Sequence, residues 1–307
     1  MSISFMFPGQ GSQAVGMGKS LYENFDEIKK LYDDASNVLG YDVAGLSFNG
    51  PAEELNKTYR TQPCLLVASI AAYTALGLRN IRPDAVAGHS LGEYSALVAA
   101  GSLSFGDAVK ITEMRGNIMQ QAVPEGKGLM AAILGLDRSV VDTLCKSLSS
   151  GYAAAANYNC PSQVVVSGEK AAVEELTVKA KEAGAKRALP LAVSVPSHSA
   201  LMEEAGNKFA EALKEFEIKD AVIPFVNNVD ARFISGADEI RASLIRQLSQ
   251  PVLWEDCVKT ISSRGILTFI EVGPGKVLSG LVKRIVAETK IYNVEDIDSL
   301  NKTAAEI

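Results

Sequence analysis

The chain has 307 residues, enough for one large domain or two unequal ones. It is 47% hydrophobic and 21% charged, the balance of an ordinary globular enzyme, and its net charge of −6 argues against nucleic acid as a partner. No basic segment with a long apolar run opens the chain, and the apolar stretches look too short or interrupted to span a bilayer, so we expect a cytoplasmic protein with no membrane segment. Four widely spaced cysteines form no CxxC pair, so we expect reduced thiols and no metal site.

Strands and helices alternate in the first part of the chain. The predicted elements are a strand at Ile3–Phe7, a helix at Cys64–Leu76, a strand at Ala85–Gly88, a helix at Leu91–Ala100, and a helix that Ser104 and Asp107 open as a variant capping box and that ends near Ala122. This alternation predicts an α/β fold with a parallel sheet covered on both faces.

The middle of the chain has a different order of elements. The predicted order is strand Gly128–Leu134, helix Arg138–Leu148, strands Tyr152–Tyr158 and Gln163–Ser167, helix Ala171–Ala183 and strand Lys186–Leu191. This β-α-β-β-α-β order is the ferredoxin-like pattern. We therefore predict a small inserted domain at 127–194 and a discontinuous large catalytic domain at 1–126 plus 195–307. The large domain resumes with a helix after Pro196 and ends with a strand at Phe269–Val272, and the polar end after Asn293 is expected to fray.

A nucleophile elbow is predicted at Gly88-His89-Ser90-Leu91-Gly92, which fits the pattern G-x-S-x-G. The glycines allow a strand to turn sharply into a helix, with the Ser90 hydroxyl exposed at the apex. The next backbone N–H, that of Leu91, then faces a developing oxyanion. A glycine-rich turn without chemistry is the alternative, but the pattern lies between a predicted strand and a predicted helix, as an elbow requires.

A serine nucleophile needs a general base, and the chain has only two histidines. His89 adjoins Ser90, and side chains next to an elbow's apex point away from it, so we expect a packed histidine there. His198 is the better candidate, because the start of a nearby helix would keep its ring neutral. A structural role for His198 remains the alternative, and no acid for a triad can be identified.

A buried arginine is predicted in the helix from Ser104. Arg115 falls on the apolar stripe formed by Ala108, Ile111, Ile118 and Ala122. An arginine on such a face needs an anionic partner. That partner is either an Asp or Glu in a structural salt bridge or the carboxylate of a substrate, which a guanidinium binds through two parallel hydrogen bonds. The residues alone leave both alternatives open.

Taken together, these segments resemble the malonyl-CoA:acyl-carrier-protein transacylases of bacterial fatty-acid synthesis. The markers are Phe7-Pro8-Gly9-Gln10-Gly11-Ser12-Gln13, Gly88-His89-Ser90-Leu91-Gly92-Glu93, Arg115-Gly116 with Met119-Gln120, Pro196-Ser197-His198, Val226-Asn227-Asn228-Val229 and Glu271-Val272-Gly273-Pro274-Gly275. They occur in order over nearly the whole chain.

The resemblance implies a hydrolase-like large domain with a ferredoxin-like insert. It assigns Ser90 as nucleophile, His198 as base, Arg115 to the malonyl carboxylate, and Gln10 with the Leu91 N–H to the oxyanion hole. In this family a main-chain carbonyl orients the histidine, and the matching position is Gln247. The implied substrates are malonyl-CoA and the phosphopantetheine thiol of acyl carrier protein, with no metal or bound cofactor, and we expect a monomer.

The resemblance also implies that the acidic carrier protein docks near the cleft between the domains. An acidic enzyme then needs a local positive patch, and we assign Lys186 and Arg187 to it; solvated surface charges are the alternative. Three alternative functions remain: a serine hydrolase such as a thioesterase, a non-catalytic docking domain, and a malonyl transferase acting in trans with a polyketide synthase.

Overall fold

The computed structural model describes residues 2–124, 126–191 and 195–307. Its strands are β1 Ile3–Phe7, β2 Ala85–Gly88, β3 Gly128–Leu134, β4 Ala153–Cys160, β5 Gln163–Glu169, β6 Arg187–Pro190, β7 Phe225–Val226, β8 Phe233–Ile234, β9 Thr268–Val272 and β10 Lys290–Val294. Several of these strands match the predicted bounds, because short apolar runs between turn residues mark buried strands well.

The helices cover both faces of the larger sheet and one face of the smaller one. They are α1 Lys19–Asn24, α2 Asp26–Leu39, α3 Val43–Asn49, α4 Ala52–Leu55, α5 Thr58–Leu78, α6 Gly92–Ala99, α7 Phe105–Ala122, α8 Arg138–Lys146, α9 Lys170–Glu182, α10 Glu203–Leu213, α11 Ala237–Gln247, α12 Trp254–Ser262, α13 Val277–Ile285 and α14 Ile297–Glu306, with a 3₁₀ turn at Ala200–Met202. As predicted, Ser104 caps α7, and its side chain accepts the N–H of Asp107.

The larger sheet carries the candidate site at its centre. Among the described residues its strand order is β10-β9-β1-β2-β7-β8, with every pair parallel except β7 and β8. Its apolar core lies on both faces, beneath α5, α6 and α7 on one side and α12 and α13 on the other. Ser90 follows β2, so it lies at the carboxyl edge of the sheet, where open α/β sheets bind their ligands.

The smaller sheet is the predicted insert. Its described strands have the order β4-β5-β3-β6, all antiparallel, with α8 and α9 packed on one face. This confirms the predicted fold class, an α/β hydrolase-like parallel sheet with an inserted ferredoxin-like β-α-β-β-α-β unit. The boundaries at 126/127 and 194/195 stay predictions, and residues 192–194 lie outside the described residues.

Helix α5 corrects the expectation about membrane segments. It begins at Thr58 rather than Cys64, and at this length it is apolar enough to cross a bilayer by length and composition alone. Most of it is buried inside the fold, with α7, α2 and α6 packed against it. An apolar helix on which other elements pack on several sides is typical of a protein core, and that is the position of α5.

The end of the chain also differs from its prediction. A further strand, β10, extends the parallel sheet beyond Thr268–Val272, and α14 follows it. Asp296 and Ser299 form a reciprocal capping box at the start of α14, and Leu300 and Thr303 are buried. The expectation of a fraying end was wrong because sparse apolar residues on one face are enough to dock a capped helix.

Candidate active site

The Ser90 turn has the geometry of an elbow. Strand β2 ends at Gly88, α6 begins at Gly92, and Ser90 between them has a φ of 52°. A Cβ on Gly88 would lie 1.9 Å from the Gly92 carbonyl carbon, and one on Gly92 would lie 2.0 Å from the Phe7 carbonyl oxygen. Only glycine therefore fits at these two positions, and the turn holds the Ser90 side chain at the edge of the cleft.

Ser90, His198 and Gln247 form a hydrogen-bonded chain. Ser90 Oγ lies 2.8 Å from His198 Nε2, and His198 Nδ1 lies 2.7 Å from the main-chain oxygen of Gln247. A carbonyl oxygen can only accept, so Nδ1 carries the ring proton and the lone pair of Nε2 faces the serine hydroxyl. The arrangement can take a proton from Ser90 as its oxygen attacks an electrophile.

The neutrality of His198 has a different cause from the one expected. No helix begins at His198, because the 3₁₀ turn starts at Ala200 and α10 only at Glu203. Instead, burial and, to a smaller extent, the positive charge of Arg115 together lower the pKa of His198 to about 3. The neutral ring that a general base requires therefore results from desolvation and a nearby cation.

His89 is a packed histidine, as expected. Its Nε2 lies 2.9 Å from Asn159 Oδ1 on β4, and its ring meets the edge of Trp254 at 5.6 Å between centroids. Burial lowers the pKa of His89 as well. His89 thus links the elbow to the insert, and within the described residues it makes no hydrogen bond to Ser90.

Two backbone N–H groups near Ser90 are free to bind an anion. In the part of the chain that the structure describes, neither the Gln10 N–H nor the Leu91 N–H donates to another protein atom. By contrast, the Ser90 N–H is engaged, because it donates to Asn228 Oδ1 at 2.7 Å. Gln10 lines the same cleft as Ser90. Free donors in this position suit an oxyanion hole, and the assignment of Gln10 and Leu91 to it stays a prediction.

Arg115 is buried against the nucleophile, with 1% of its surface exposed. Its Nη1 donates to Gln62 Oε1 at 2.9 Å, and its Nη2 donates to Gln247 Oε1 at 2.9 Å and to Ser90 Oγ at 3.3 Å. Its Nε is buried with no hydrogen-bond partner. No described acidic side chain forms a salt bridge with it, which argues against the structural alternative and leaves a buried cation beside Ser90 that only neutral groups satisfy.

The cleft lies between the two sheets. On the large side it is lined by Gln10, Ser90, Arg115, His198 and α13, and on the insert side by Met130, Ala132, Asn157, Asn159, Gln163 and Val165. The insert side combines apolar side chains with a similar number of amide groups. Such a mixture suits a long, flexible ligand whose reactive end reaches Ser90.

Lys186 and Arg187 lie apart from this lining. Both are exposed at the start of β6, the edge strand of the insert. Arg187 pairs with Leu134 of β3, two residues beyond cleft-lining Ala132, so it faces the same side of the sheet as the lining. Arg187 therefore lies on the cleft side of the insert, and the role of the pair in docking stays a prediction.

Three residues of the site were not identified from their sequence pattern. Gln62 contacts Arg115, Asn228 contacts the elbow, and Glu93 contacts both Asn228 and the Gln247 side chain. Two signals were available for Glu93: it ends a marker segment of the resemblance, and it is a single charge in the otherwise apolar helix α6. Gln62 gave none, and Asn228 stood out only as part of the marker Val226-Asn227-Asn228-Val229, because a polar residue shows its partner only after the chain has folded.

A serine elbow, a carbonyl-bound histidine and a buried arginine on this fold are typical of an acyl transferase. Residues 4–302 match the acyl transferase domain family. A malonyl CoA-acyl carrier protein transacylase of Haemophilus influenzae is 50% identical over 97% of this chain and 96% of its own length, and one of Bacillus subtilis is 48% identical over 97% and 95%.

Solved structures of malonyltransferases have the same fold as this chain. The acyl carrier protein S-malonyltransferase of Vibrio cholerae has a TM-score of 0.96 at 48% identity and covers 99% of this chain and 100% of that one. A malonyl-transacylase in complex with a type II polyketide synthase acyl carrier protein has a TM-score of 0.98 at 46% identity, covering 100% of both chains. The chain belongs to the malonyl CoA-acyl carrier protein transacylases, within the acyl transferase domain family.

Proposed function

We propose that this enzyme transfers the malonyl group of malonyl-CoA to the phosphopantetheine thiol of acyl carrier protein through a malonyl-serine ester on Ser90. The observation that carries the proposal is the Arg115 guanidinium, 3.3 Å from Ser90 Oγ and without an acidic partner among the described residues. Such a cation suits an acyl group that itself ends in a carboxylate, as malonyl does.

The first half-reaction loads the enzyme. Ser90 Oγ attacks the thioester carbonyl while its proton passes to His198 Nε2. The tetrahedral oxyanion accepts hydrogen bonds from the N–H groups of Gln10 and Leu91. When the intermediate collapses, the C–S bond breaks, the sulfur of coenzyme A leaves with the proton from His198, and malonyl remains on Ser90.

The second half-reaction transfers malonyl from Ser90 to the carrier's thiol, with Ser90 Oγ now as the leaving group. The carrier's thiol gives its proton to His198, and its sulfur attacks the serine ester. The C–O bond breaks, Ser90 Oγ regains the proton, and malonyl leaves as a thioester of the carrier. The main-chain carbonyl of Gln247 holds the His198 ring through both halves. These steps balance without a metal or redox cofactor, so we propose that none is required.

The setting of the reaction is part of the proposal. We place the enzyme in the cytoplasm as a monomer, with fatty-acid synthesis as the consumer of its product. A polyketide pathway is the second candidate, because the malonyl-transacylase with a TM-score of 0.98 was solved with a type II polyketide synthase carrier. Comparing fatty-acid and polyketide carriers as acceptors separates the two.

Mass spectrometry of the intact protein tests the central claim. Incubation with malonyl-CoA should add one malonyl group, peptide mapping should place it on Ser90, and holo carrier protein should then remove it and acquire it. Ser90→Ala, which loses only the attacking atom, is the control and should fold but stay unlabelled. Release of free malonate without transfer would instead indicate a hydrolase, and labelling of the Ala variant at the wild-type rate would place the nucleophile elsewhere.

A further inference from the structure

Glu93 carries a fully buried carboxyl group three residues after Ser90. Its Oε1 accepts the backbone N–H of Asn228, and its Oε2 accepts Nε2 of the Gln247 side chain. No described lysine, arginine or histidine forms a salt bridge with it. A buried carboxylate is costly unless hydrogen-bonded, so the two short contacts satisfy Glu93 and also fix the groups that make them.

Three contacts, one of them with Glu93, decide which way the Gln247 amide points. Nε2 donates to Glu93 and, at 3.0 Å, to the Ser90 main-chain oxygen, while Oε1 accepts Nη2 of Arg115 at 2.9 Å. Reversing the amide would set its oxygen against two other oxygens and its NH₂ against the guanidinium. In its ionised form Glu93 only accepts, so together with the Ser90 carbonyl and Arg115 it favours a single orientation of Gln247, although burial raises the pKa of Glu93 to about 8.

The contact with Asn228 steadies the elbow itself. While Glu93 holds the Asn228 backbone, the Asn228 side chain accepts the Ser90 N–H at 2.7 Å and donates to the Gly88 carbonyl at 2.7 Å. Both ends of the strained turn are thus tied to one residue. Glu93 is therefore hydrogen-bonded to Asn228, which holds the turn at Ser90, and to Gln247, which contacts Arg115.

We propose that Glu93 is a positioning residue for acyl selectivity: by fixing the orientation of the Gln247 amide, it aims the Arg115 guanidinium at the acyl carboxylate. This inference rests on the proposed function. Glu93 touches neither substrate nor the reacting atoms, and it acts through Gln247. Its loss should reduce the preference for an acyl group with a terminal carboxylate more than it reduces transfer of an uncharged acyl group.

Glu93→Gln is the test, since it keeps shape and removes one acceptor. The amide oxygen of the new side chain can accept from Asn228 or from Gln247, but not from both. Either its own NH₂ group then faces one of these two donors, or the Gln247 amide reverses and turns its NH₂ group toward Arg115. The ratio of kcat/KM for malonyl-CoA to that for acetyl-CoA should fall roughly ten- to hundredfold, the effect of one hydrogen bond to a charged group. An unchanged ratio overturns the proposal.

Glu271→Gln is the matched control. Glu271 is also fully buried and also accepts two N–H groups, those of Leu278 and Ser279 at the start of α13, but it has no contact with Gln247 or Arg115. Both variants should lower the thermal unfolding midpoint, and only Glu93→Gln should change the malonyl-to-acetyl ratio. A ratio that falls equally in both would mean that the effect is general destabilisation, which contradicts the proposal.

Gln247→Met is a second test of the same contact, and it can be measured even if Glu93→Gln does not fold. It removes the amide and leaves the main-chain carbonyl that holds His198. The ratio should fall as in Glu93→Gln, and adding Glu93→Gln to it should cause no further fall, because both changes break the same link. A wild-type ratio in Gln247→Met overturns the proposal. Malonyl labelling of wild-type Ser90 in the same assays separates failure of this inference from failure of the proposed function.

Discussion

Ser90 Oγ lies 2.8 Å from His198 Nε2, although 108 positions separate the two residues in the chain. The opposite ring nitrogen donates to the Gln247 carbonyl, in the place where many hydrolases have a carboxylate. Gln247 is the last residue of α11, and a helix leaves its last carbonyls without partners within the helix. A helix end thus provides the acceptor that orients the base, and the arrangement needs no acidic third member.

We expect His198→Ala to slow both half-reactions, because one base serves both. The loss should be about 100- to 10,000-fold in each, the usual contribution of general-base catalysis. Rapid-quench labelling of Ser90 measures loading, and chase of the labelled enzyme with holo carrier protein measures unloading. Slowing of only one half would contradict a shared base.

The pH dependence of loading should reflect the burial of His198. Because burial and Arg115 lower its pKa to about 3, the ring stays neutral well below its ordinary pKa of 6.5. Lowering the pH from 7 to 5 should therefore leave its lone pair available, and the acid limb of kcat/KM for malonyl-CoA should lie well below pH 6.5. Circular dichroism at each pH checks that the protein stays folded. An acid limb at pH 6.5 would show that the ring titrates like an exposed histidine.

The same pKa shift predicts a stability trend of defined sign. Between pH 6.5 and 3 the unfolded chain binds a proton at His198 that the folded protein does not. The contribution of the neutral His198 ring to the free energy of unfolding is therefore full above pH 6.5 and is lost as the pH falls toward 3. The slope reaches at most about 1.4 kcal/mol per pH unit. Denaturant titrations of wild type and His198→Gln measure it, and equal slopes for the two proteins would contradict the shift.

Arg115→Ala should abolish most malonyl transfer and improve acetyl transfer in relative terms. Acetyl leaves the buried guanidinium without its partner, whereas the alanine variant has no charge to satisfy. Two charge-assisted hydrogen bonds at about 1.5–3 kcal/mol each correspond to two or more orders of magnitude in kcat/KM. Arg115→Lys should rescue poorly, since lysine keeps the charge but cannot form the paired contacts. An unchanged malonyl-to-acetyl ratio in Arg115→Ala would refute the carboxylate assignment.

Charge reversal at Lys186 and Arg187 tests the predicted docking patch. The double variant with Glu at both positions should raise the KM for holo carrier protein at low salt and leave the KM for malonyl-CoA unchanged. Reversal of Lys30 and Lys302, which are exposed and do not line the Ser90 cleft, is the matched control for net charge. Equal carrier KM values for the two double variants would remove Lys186 and Arg187 from the patch.

Local patterns were enough to predict much of this protein. The run Ile3–Phe7, the glycines around Ser90 and the β-α-β-β-α-β order of the insert are features of short segments, and each produced the predicted element. Weakly apolar segments failed, as with α14, because a few apolar positions on one face dock a helix only when a partner surface exists.

The sequence by itself also determined the chemistry that was possible: a serine at an elbow, two histidines of which His198 was the better candidate base, and an arginine on an apolar stripe. Tertiary structure alone decided the partners, because Arg115, Gln62 and Gln247 meet only after packing, across 53 and 132 positions. Hydrogen bonds depend on distance and direction in space, which a linear pattern does not contain. The same reason explains why Glu93 stood out only as a marker residue and as a charge in an apolar helix, while its two partners became known from the fold.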